Sequence, residues 1–214
     1  MTLNLTEIFT SVQGESTFAG LPTVFVRLAA CNLRCVWCDT PYSFGRGDPK
    51  PLAEIIQHIE NQGVGHVCIT GGEPLLQENV HHLMTALCDK NLAVSLETGG
   101  SLAINDVDPR VSIILDIKCP GSGMSSKNDW ANMNRIKKND EVKFVIADEN
   151  DYLYAKDIVR KYNLLSKCRA VLFSPVFNEM DAKKLTEWIL RDKLGVRLNL
   201  QLHKFIWDPA TKGV

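Results

Sequence analysis

The chain repeats one local theme: short runs rich in aliphatic and β-branched residues alternate with longer segments of helical period. TVFVRLAA (23–30), HVCIT (66–70), LAVSLET (92–98), VSIILDIK (111–118), EVKFVIA (141–147), AVLFSP (170–175) and VRLNLQLH (196–203) read as strands. Between them Leu52, Ile55, Ile56 and Ile59 recur on one helical face, as do Leu76, Val80, Leu83, Met84 and Leu87. Further helices are predicted over 150–164 and 181–194. Alternation of this kind implies βα units and a mainly parallel sheet. A closed eight-unit barrel usually needs about 250 residues, so a chain of this length holds about six units. The expected fold is therefore α/β, an incomplete and splayed barrel. It is one domain over 1–214, with a barrel core over 21–209 and short N-terminal and C-terminal extensions over the site. A doubly wound open sheet is the fallback. Both architectures place chemistry at the C-terminal ends of the strands.

Composition narrows the function classes. A hydrophobic content of 45% with 23% charged residues supports a real core. The net charge of −1 gives no reason to expect a nucleic-acid partner. No window approaches the roughly 18 apolar residues of a membrane span. The N-terminus MTLNLTEIFTSVQGES lacks the basic region and apolar run of a secretory signal, so a cytoplasmic chain with reduced thiols is expected. Seven cysteines, odd in number and unevenly spread, agree with that.

Applied to the strands above, the strand-end rule gathers five polar, glycine- or proline-rich clusters on one edge. These are the cysteine loop after 23–30, TGGEP (70–74), ETGG (97–100), CPGSG (119–123) and Ser174-Pro175. Any one of them is ordinary turn chemistry. Their convergence on the edge that carries Cys31, Cys35 and Cys38 points to a site.

The spacing of those cysteines is C-x3-C-x2-C. Compartment and tight spacing disfavour a disulfide. Covalent haem attachment needs C-x-x-C-H, and Asp39 stands where the histidine should be. Structural zinc takes four ligands, usually from two separated pairs, and no second pair exists here. His58, His66, His81, His82 and His203 show no ligand spacing. Three thiolates suit a four-iron cluster with one iron left open to a nitrogen- and oxygen-chelating molecule such as S-adenosylmethionine. Cys68 and Cys88 read as core thiols, and Cys168 carries no ligand pattern. Cys119, at the site edge of its strand, reads as a packing or turn residue.

C-x3-C-x2-C after the first barrel strand, with GGEP one unit later, resembles the radical S-adenosylmethionine superfamily. More narrowly, the chain resembles the 7-carboxy-7-deazaguanine synthases nearly end to end, from EIFTSVQGES to LQLHKFIWDP. The Q-G-E segment, Thr40 directly after the C-D pair, the E-T-x-G run and the closing H-K-aromatic-x-x-x-P carry that likeness. The resemblance implies a 4Fe-4S cluster on Cys31, Cys35 and Cys38. It implies S-adenosylmethionine contacts from Trp37, Cys38, Asp39, Gly72, Asp116, Ile117, Lys118, Ser174, Pro175, Val176 and Phe177. It also implies contacts to a pterin substrate from Val12, Gln13, Gly14, Arg27, Thr70 and Pro209, and Mg2+ at Thr40.

The implied reaction is the radical ring contraction of 6-carboxy-5,6,7,8-tetrahydropterin to 7-carboxy-7-deazaguanine with loss of ammonia, in queuosine and 7-deazapurine biosynthesis. No protein side chain is assigned as catalytic. Glu73 and Glu97 resemble catalytic carboxylates by type; the plainer reading is that Glu73 orders its turn and Glu97 hydrogen-bonds within the pocket, and the sequence leaves both open. An electron donor such as a flavodoxin and a homodimer are further implications of the family. The sequence departs from the family pattern at Ser16, at Ser174 and in ETGG, and continues past Pro209 as ATKGV. Two other readings compete: a glycyl-radical activase acting on a partner protein, and a binding module in which zinc is held by Cys31, Cys35 and Cys38, with or without Cys119.

Overall fold

The computed structural model describes residues 1–214. Nine strands form one open sheet. β1 (Thr2–Val12), β2 (Pro22–Leu28) and β3 (Asp48–Pro51) begin the chain, followed by β4 (His66–Gly71), β5 (Ala93–Thr98) and β6 (Ser112–Asp116). β7 (Glu141–Ile146), β8 (Ala170–Pro175) and β9 (Arg197–Leu198) complete it, in the order β3-β1-β2-β4-β5-β6-β7-β8-β9. From β2 onward neighbours are parallel, while β1 runs antiparallel to both β2 and β3. The expected partial barrel is present: seven parallel strands, unclosed, joined by crossovers.

The strands alternate with period two, and the register carries each row across the sheet. Val24, Val67 and Val94 are aligned, as are Val26 and Ile69 beside Leu96 and Ile113. These outward residues join Leu115, Val142, Phe144, Val171 and Phe173 in a core of 39 buried residues. Helices α1 (Leu52–Gln62), α2 (Asn79–Asp89), α3 (Glu149–Lys161) and α5 (Ala182–Arg191) cover that face, with the short α4 (Leu164–Lys167) between α3 and β8. Their buried stripes are Ile55 and Ile59, then Val80, Leu83, Met84 and Leu87, then Tyr152, Ala155 and Ile158, then Leu185, Trp188 and Ile189. The main core therefore lies between sheet and helices, which leaves the concave face free to be polar. Within the main core Phe144, Phe173, Tyr152 and Trp188 form one aromatic knot, with edge or tilted contacts of 5.2–5.9 Å between neighbouring rings. Phe144→Ala is expected to cost about 3–5 kcal/mol by leaving a cavity in this knot. A urea midpoint shift with unchanged slope would measure it.

The N-terminal extension reaches the site at Val12 and is itself an eleven-residue strand, because Thr2–Val12 pairs with both β2 and β3. Two expectations need correction. Only Arg197–Leu198 of the run 196–203 is strand. Beyond it Asn199 and Gln201 turn inward to polar partners, and His203–Ile206 forms a short helix, α6. Finally, neither the crossover after β5 nor the one after β6 contains an α-helix: the first is built of turns and bends, the second of three short 3-10 segments. Buried side chains hold them instead. Asn132 accepts from Ile104 N and donates to Leu102 O, and Asp140 accepts from Ile113 N and Lys137 N.

Candidate active site

The inward rows of the strands line one cavity of about 790 Å³ at the concave face. β1 contributes Phe9, β2 Phe25 and Arg27, β4 Thr70, β5 Glu97, β6 Ile114 and Asp116, β7 Lys143 and Val145, and β8 Ser174. The register aligns Arg27 with Thr70, and Asp116 with Lys143. Phe9 and Phe25 face each other across the antiparallel pair and stack with centroids 5.0 Å apart, giving a flat apolar wall.

The cysteine loop leaves the C-terminal end of β2 and presents Cys31, Cys35 and Cys38 to this cavity, all three half-buried and unpaired. Two backbone contacts set its path. Ala30 O accepts from Glu73 N at 2.8 Å, and Leu28 O accepts from Gly72 N at 3.0 Å. Gly72 must be glycine, since a Cβ there would lie 2.0 Å from Ala30 O and 2.9 Å from Cys31 Cβ. Glu73 is fully buried and accepts from Leu75 N, Thr98 Oγ1 and Gly99 N, so it locks the β4 and β5 ends together. Burial raises its pKa against those bonds. Glu97 accepts from Thr70 Oγ1 at 2.9 Å and from Gln13 Nε2 at 3.4 Å. Both carboxylates are thus engaged in hydrogen bonds between neighbouring strand ends and loops.

Lys118 lies behind the thiols, 3.0 Å from Asp116 Oδ2. The Asn128 amide clamps its backbone from both sides, accepting from Lys118 N at 2.9 Å and donating to Lys118 O at 3.0 Å. Burial pushes the Cys35 thiol up, and the Lys118 ammonium opposes that shift. Asp116 Oδ1 is buried in the cavity wall with no hydrogen-bond partner, an acceptor with its desolvation already incurred.

The loop Gln13–Leu21 crosses beneath the barrel. Thr17 bonds Glu141, Ser16 N donates to Asn199 Oδ1, and Phe18 stacks on His66. Glu15 within it pairs with Lys143 at 2.6 Å and accepts from Gln201 Nε2 at 2.8 Å. Burial would raise the Glu15 carboxyl, yet Lys143 and Gln201 more than offset it and hold the group at about 2. The C-terminal segment closes the open flank. Gly14 O accepts from Leu202 N at 2.9 Å, and a Cβ on Gly14 would meet His203 Nδ1 at 2.1 Å. Residues 209–214 reach back to line the cavity, with Lys212 over the Tyr42 ring.

Of the residues singled out in the sequence, Val12, Gln13, Gly14, Arg27, Thr70 and Pro209 line this one cavity. So do the three cysteines, Trp37, Asp39, Thr40, Gly72, Asp116, Lys118 and Ser174–Phe177. Ile117 does not: its side chain is fully buried in the hydrophobic core. Sequence reading passed over Glu15, Lys143 and the Phe9–Phe25 wall. The signal was available in EVKFVIA, where a lysine interrupts an apolar strand at a period-two position.

The donor set fits a cluster better than a single ion. No three His, Cys, Asp or Glu side chains converge as a mononuclear metal site. The thiolate ligands of a four-iron cluster bind different irons, and so need not converge on one point. Cys119, the optional fourth ligand of the zinc reading, is 1% exposed within the core and absent from the cavity wall.

Comparison with known proteins agrees with this geometry. The Radical SAM superfamily model matches residues 26–114, spanning β2 to β6 with the cysteine loop and GGEP. The 7-carboxy-7-deazaguanine synthase of Chlorobaculum tepidum is 46% identical over 99% of this chain and 97% of its own length. That of Koribacter versatilis is 42% identical over 99% of this chain and 100% of its own. In structure, the chain is similar to QueE from Escherichia coli, with a TM-score of 0.76, 23% identity and 95% of both chains covered. Streptococcus suis SuiB bound to S-adenosylmethionine shares the fold more distantly, with a TM-score of 0.55 and 15% identity over 80% of this chain and 44% of SuiB.

Proposed function

The chain belongs to the 7-carboxy-7-deazaguanine synthase family, within the radical S-adenosylmethionine enzymes, and from that membership we propose that it converts 6-carboxy-5,6,7,8-tetrahydropterin to 7-carboxy-7-deazaguanine with loss of ammonia. The product serves queuosine and 7-deazapurine biosynthesis. The observation that carries this reading is the meeting, in one cavity, of three free thiols with a polar barrel interior closed at its floor and flank. Such a pocket suits a small molecule rather than the protein substrate of an activase.

Cys31, Cys35 and Cys38 would hold a 4Fe-4S cluster, with S-adenosylmethionine bound beside it in the same cavity. When bound, cluster and S-adenosylmethionine together supply the one-electron chemistry that removes a hydrogen from the substrate. Everything else falls to positioning. Asp116 Oδ1 offers its free acceptor to the cofactor, and Gly72 lets the chain pass close to it. Trp37, Asp39, Lys118 and Ser174–Phe177 wall the same volume. Arg27 presents a cationic fork to the pterin carboxylate, while Thr70, Gln13 and Glu97 form a linked set for the pterin's amide and amine edge. The Phe9–Phe25 wall shields one side of the site from water.

Thr40 would supply a protein hydroxyl for Mg2+, an ion that commonly takes only one or two protein oxygens. It stands at the start of the turn Pro41–Phe44, yet its side chain caps nothing there; its one polar neighbour is Cys38 Sγ at 3.9 Å. Thr40→Ala should therefore keep the cluster and fold while losing the stimulation of turnover by Mg2+, about tenfold or more. A magnesium titration of the reconstituted variant checks this, and an unchanged response refutes the assignment. The same reading makes the protein a cytoplasmic homodimer fed by a low-potential donor such as a flavodoxin. No helix is long and apolar enough to cross a membrane. The reading is tested by electron paramagnetic resonance of the reduced, reconstituted protein. The cluster signal should change on adding S-adenosylmethionine, and an unaltered signal would speak against an open iron.

A further inference from the structure

Arg27 and Glu7 stand directly opposite each other in the antiparallel register of β1 and β2. Arg27 Nε donates to Glu7 Oε1 at 2.7 Å, with the two side chains 16% and 20% exposed. The same oxygen accepts from the Tyr42 hydroxyl at 3.0 Å. Tyr42 belongs to the turn Pro41–Phe44, so this bond ties the end of the cysteine loop to the barrel wall. Arg27 and Tyr42 line the cavity, whereas Glu7 does not. The guanidinium also sits over the Phe9 ring, 5.9 Å from its centroid. It is thus gripped through Nε from behind, and none of its hydrogen bonds uses the two terminal nitrogens. On its cavity side Tyr42 is covered by Lys212, whose Nζ lies 4.4 Å from the ring centroid. Burial and the Glu7 carboxylate push the Tyr42 hydroxyl up to about 12 against the pull of Arg27, so it remains a neutral donor.

We propose that Glu7 and Tyr42 are positioning residues, which hold the Arg27 guanidinium so that its two terminal nitrogens alone meet the carboxylate of the substrate. The proposal rests on Arg27 being the carboxylate fork. An arginine left free would lose rotamer freedom on each binding event, and it could offer the Nε edge in a competing pose. Glu7 removes both problems. Its negative charge also weakens Arg27's attraction for an anion, so the arrangement is sensible only if orientation matters more than charge. That makes the sign of the effect diagnostic.

The test is steady-state kinetics of the reconstituted holoenzyme on the carboxylated pterin, with iron content and thermal stability checked for each variant. Glu7→Ala should raise KM about tenfold with kcat within about twofold, the signature of lost uniform binding. Glu7→Gln, which keeps an acceptor for Nε, should recover most of that loss. Tyr42→Phe keeps the ring and its Lys212 contact, and should raise KM about threefold. A KM unchanged or lowered in Glu7→Ala and Tyr42→Phe, beside a raised KM in Arg27→Lys, would overturn the positioning role and leave the Arg27 reading intact. An unchanged KM in Arg27→Lys would overturn both. Should Glu7→Ala fail to fold, Tyr42→Phe decides by the same criterion.

Discussion

Replacing Cys35 by alanine should leave a folded protein that assembles no complete cluster and forms no product. The side chain sits in a half-exposed loop outside the core, so the thermal midpoint of the apo form should barely move. Ligation has no substitute. Cys68, Cys88, Cys119 and Cys168 are buried in or against the core, and none lines the cavity. Two thiolates cannot hold a cubane that already leaves one iron open. Iron and sulfide analysis after anaerobic reconstitution checks this directly. Full iron content in the variant would show that another residue ligates, and the three-cysteine account would fail.

The second large effect is expected at Lys143. Its ammonium and the Glu15 carboxylate are both nearly buried, 16% and 14% exposed, at the floor of the cavity. Lys143→Met leaves Glu15 buried without its partner, which typically costs about 3–5 kcal/mol. Adding Glu15→Gln should restore much of the stability, because an amide needs no counter-charge, while activity stays low.

The pH dependence separates the cases. Glu15 is held at about 2, below its ordinary value of 4.5, so on acidification the unfolded chain takes up its proton first. The stabilisation is complete above pH 4.5 and is lost as the pH falls through about 2. Lys143 is shifted upward by the same pairing, so its contribution holds below its ordinary value of 10.5 and is lost only at higher pH. In Lys143→Met the burial of Glu15 is unopposed by that cation, its carboxyl moves up, and mild acid should stabilise the variant relative to neutrality. Thermal midpoints between pH 7 and 3 for both proteins decide the matter. Parallel curves would mean that the pair carries no such linkage.

The sequence disclosed more of the site than of the fold's edges, for physical reasons. Strand ends bearing TGGEP, ETGG and CPGSG were legible because turns need those residues wherever they occur, and a parallel sheet puts all such ends on one side. All four main helices were expected, two of them from explicit apolar stripes at 52–59 and 76–87. β1 was not: TLNLTEIFTSV has weak alternation over much of its length, and its pairing partners lie ten or more residues away in sequence. The two crossovers without α-helices were hidden for a related reason. Asn128, Asn132 and Asp140 do by side-chain bonding what a helix does by its backbone, and isolated Asn and Asp residues look like any loop. Inward Lys143 and Glu15 were missed because each looks like a surface charge until the register shows which face it occupies. Arg27 entered through the family resemblance, and like Lys143 it is a charge interrupting an apolar strand.

The central claim is that this cavity, loaded with its cluster, contracts a carboxylated pterin. The most direct measurement is mass spectrometry of an anaerobic incubation of the reconstituted protein with reductant, S-adenosylmethionine, Mg2+ and 6-carboxy-5,6,7,8-tetrahydropterin. The account predicts 7-carboxy-7-deazaguanine, with ammonia released in equal amount and none of either formed by Cys35→Ala. A cluster-replete protein that cleaves S-adenosylmethionine yet leaves the pterin unchanged would contradict it.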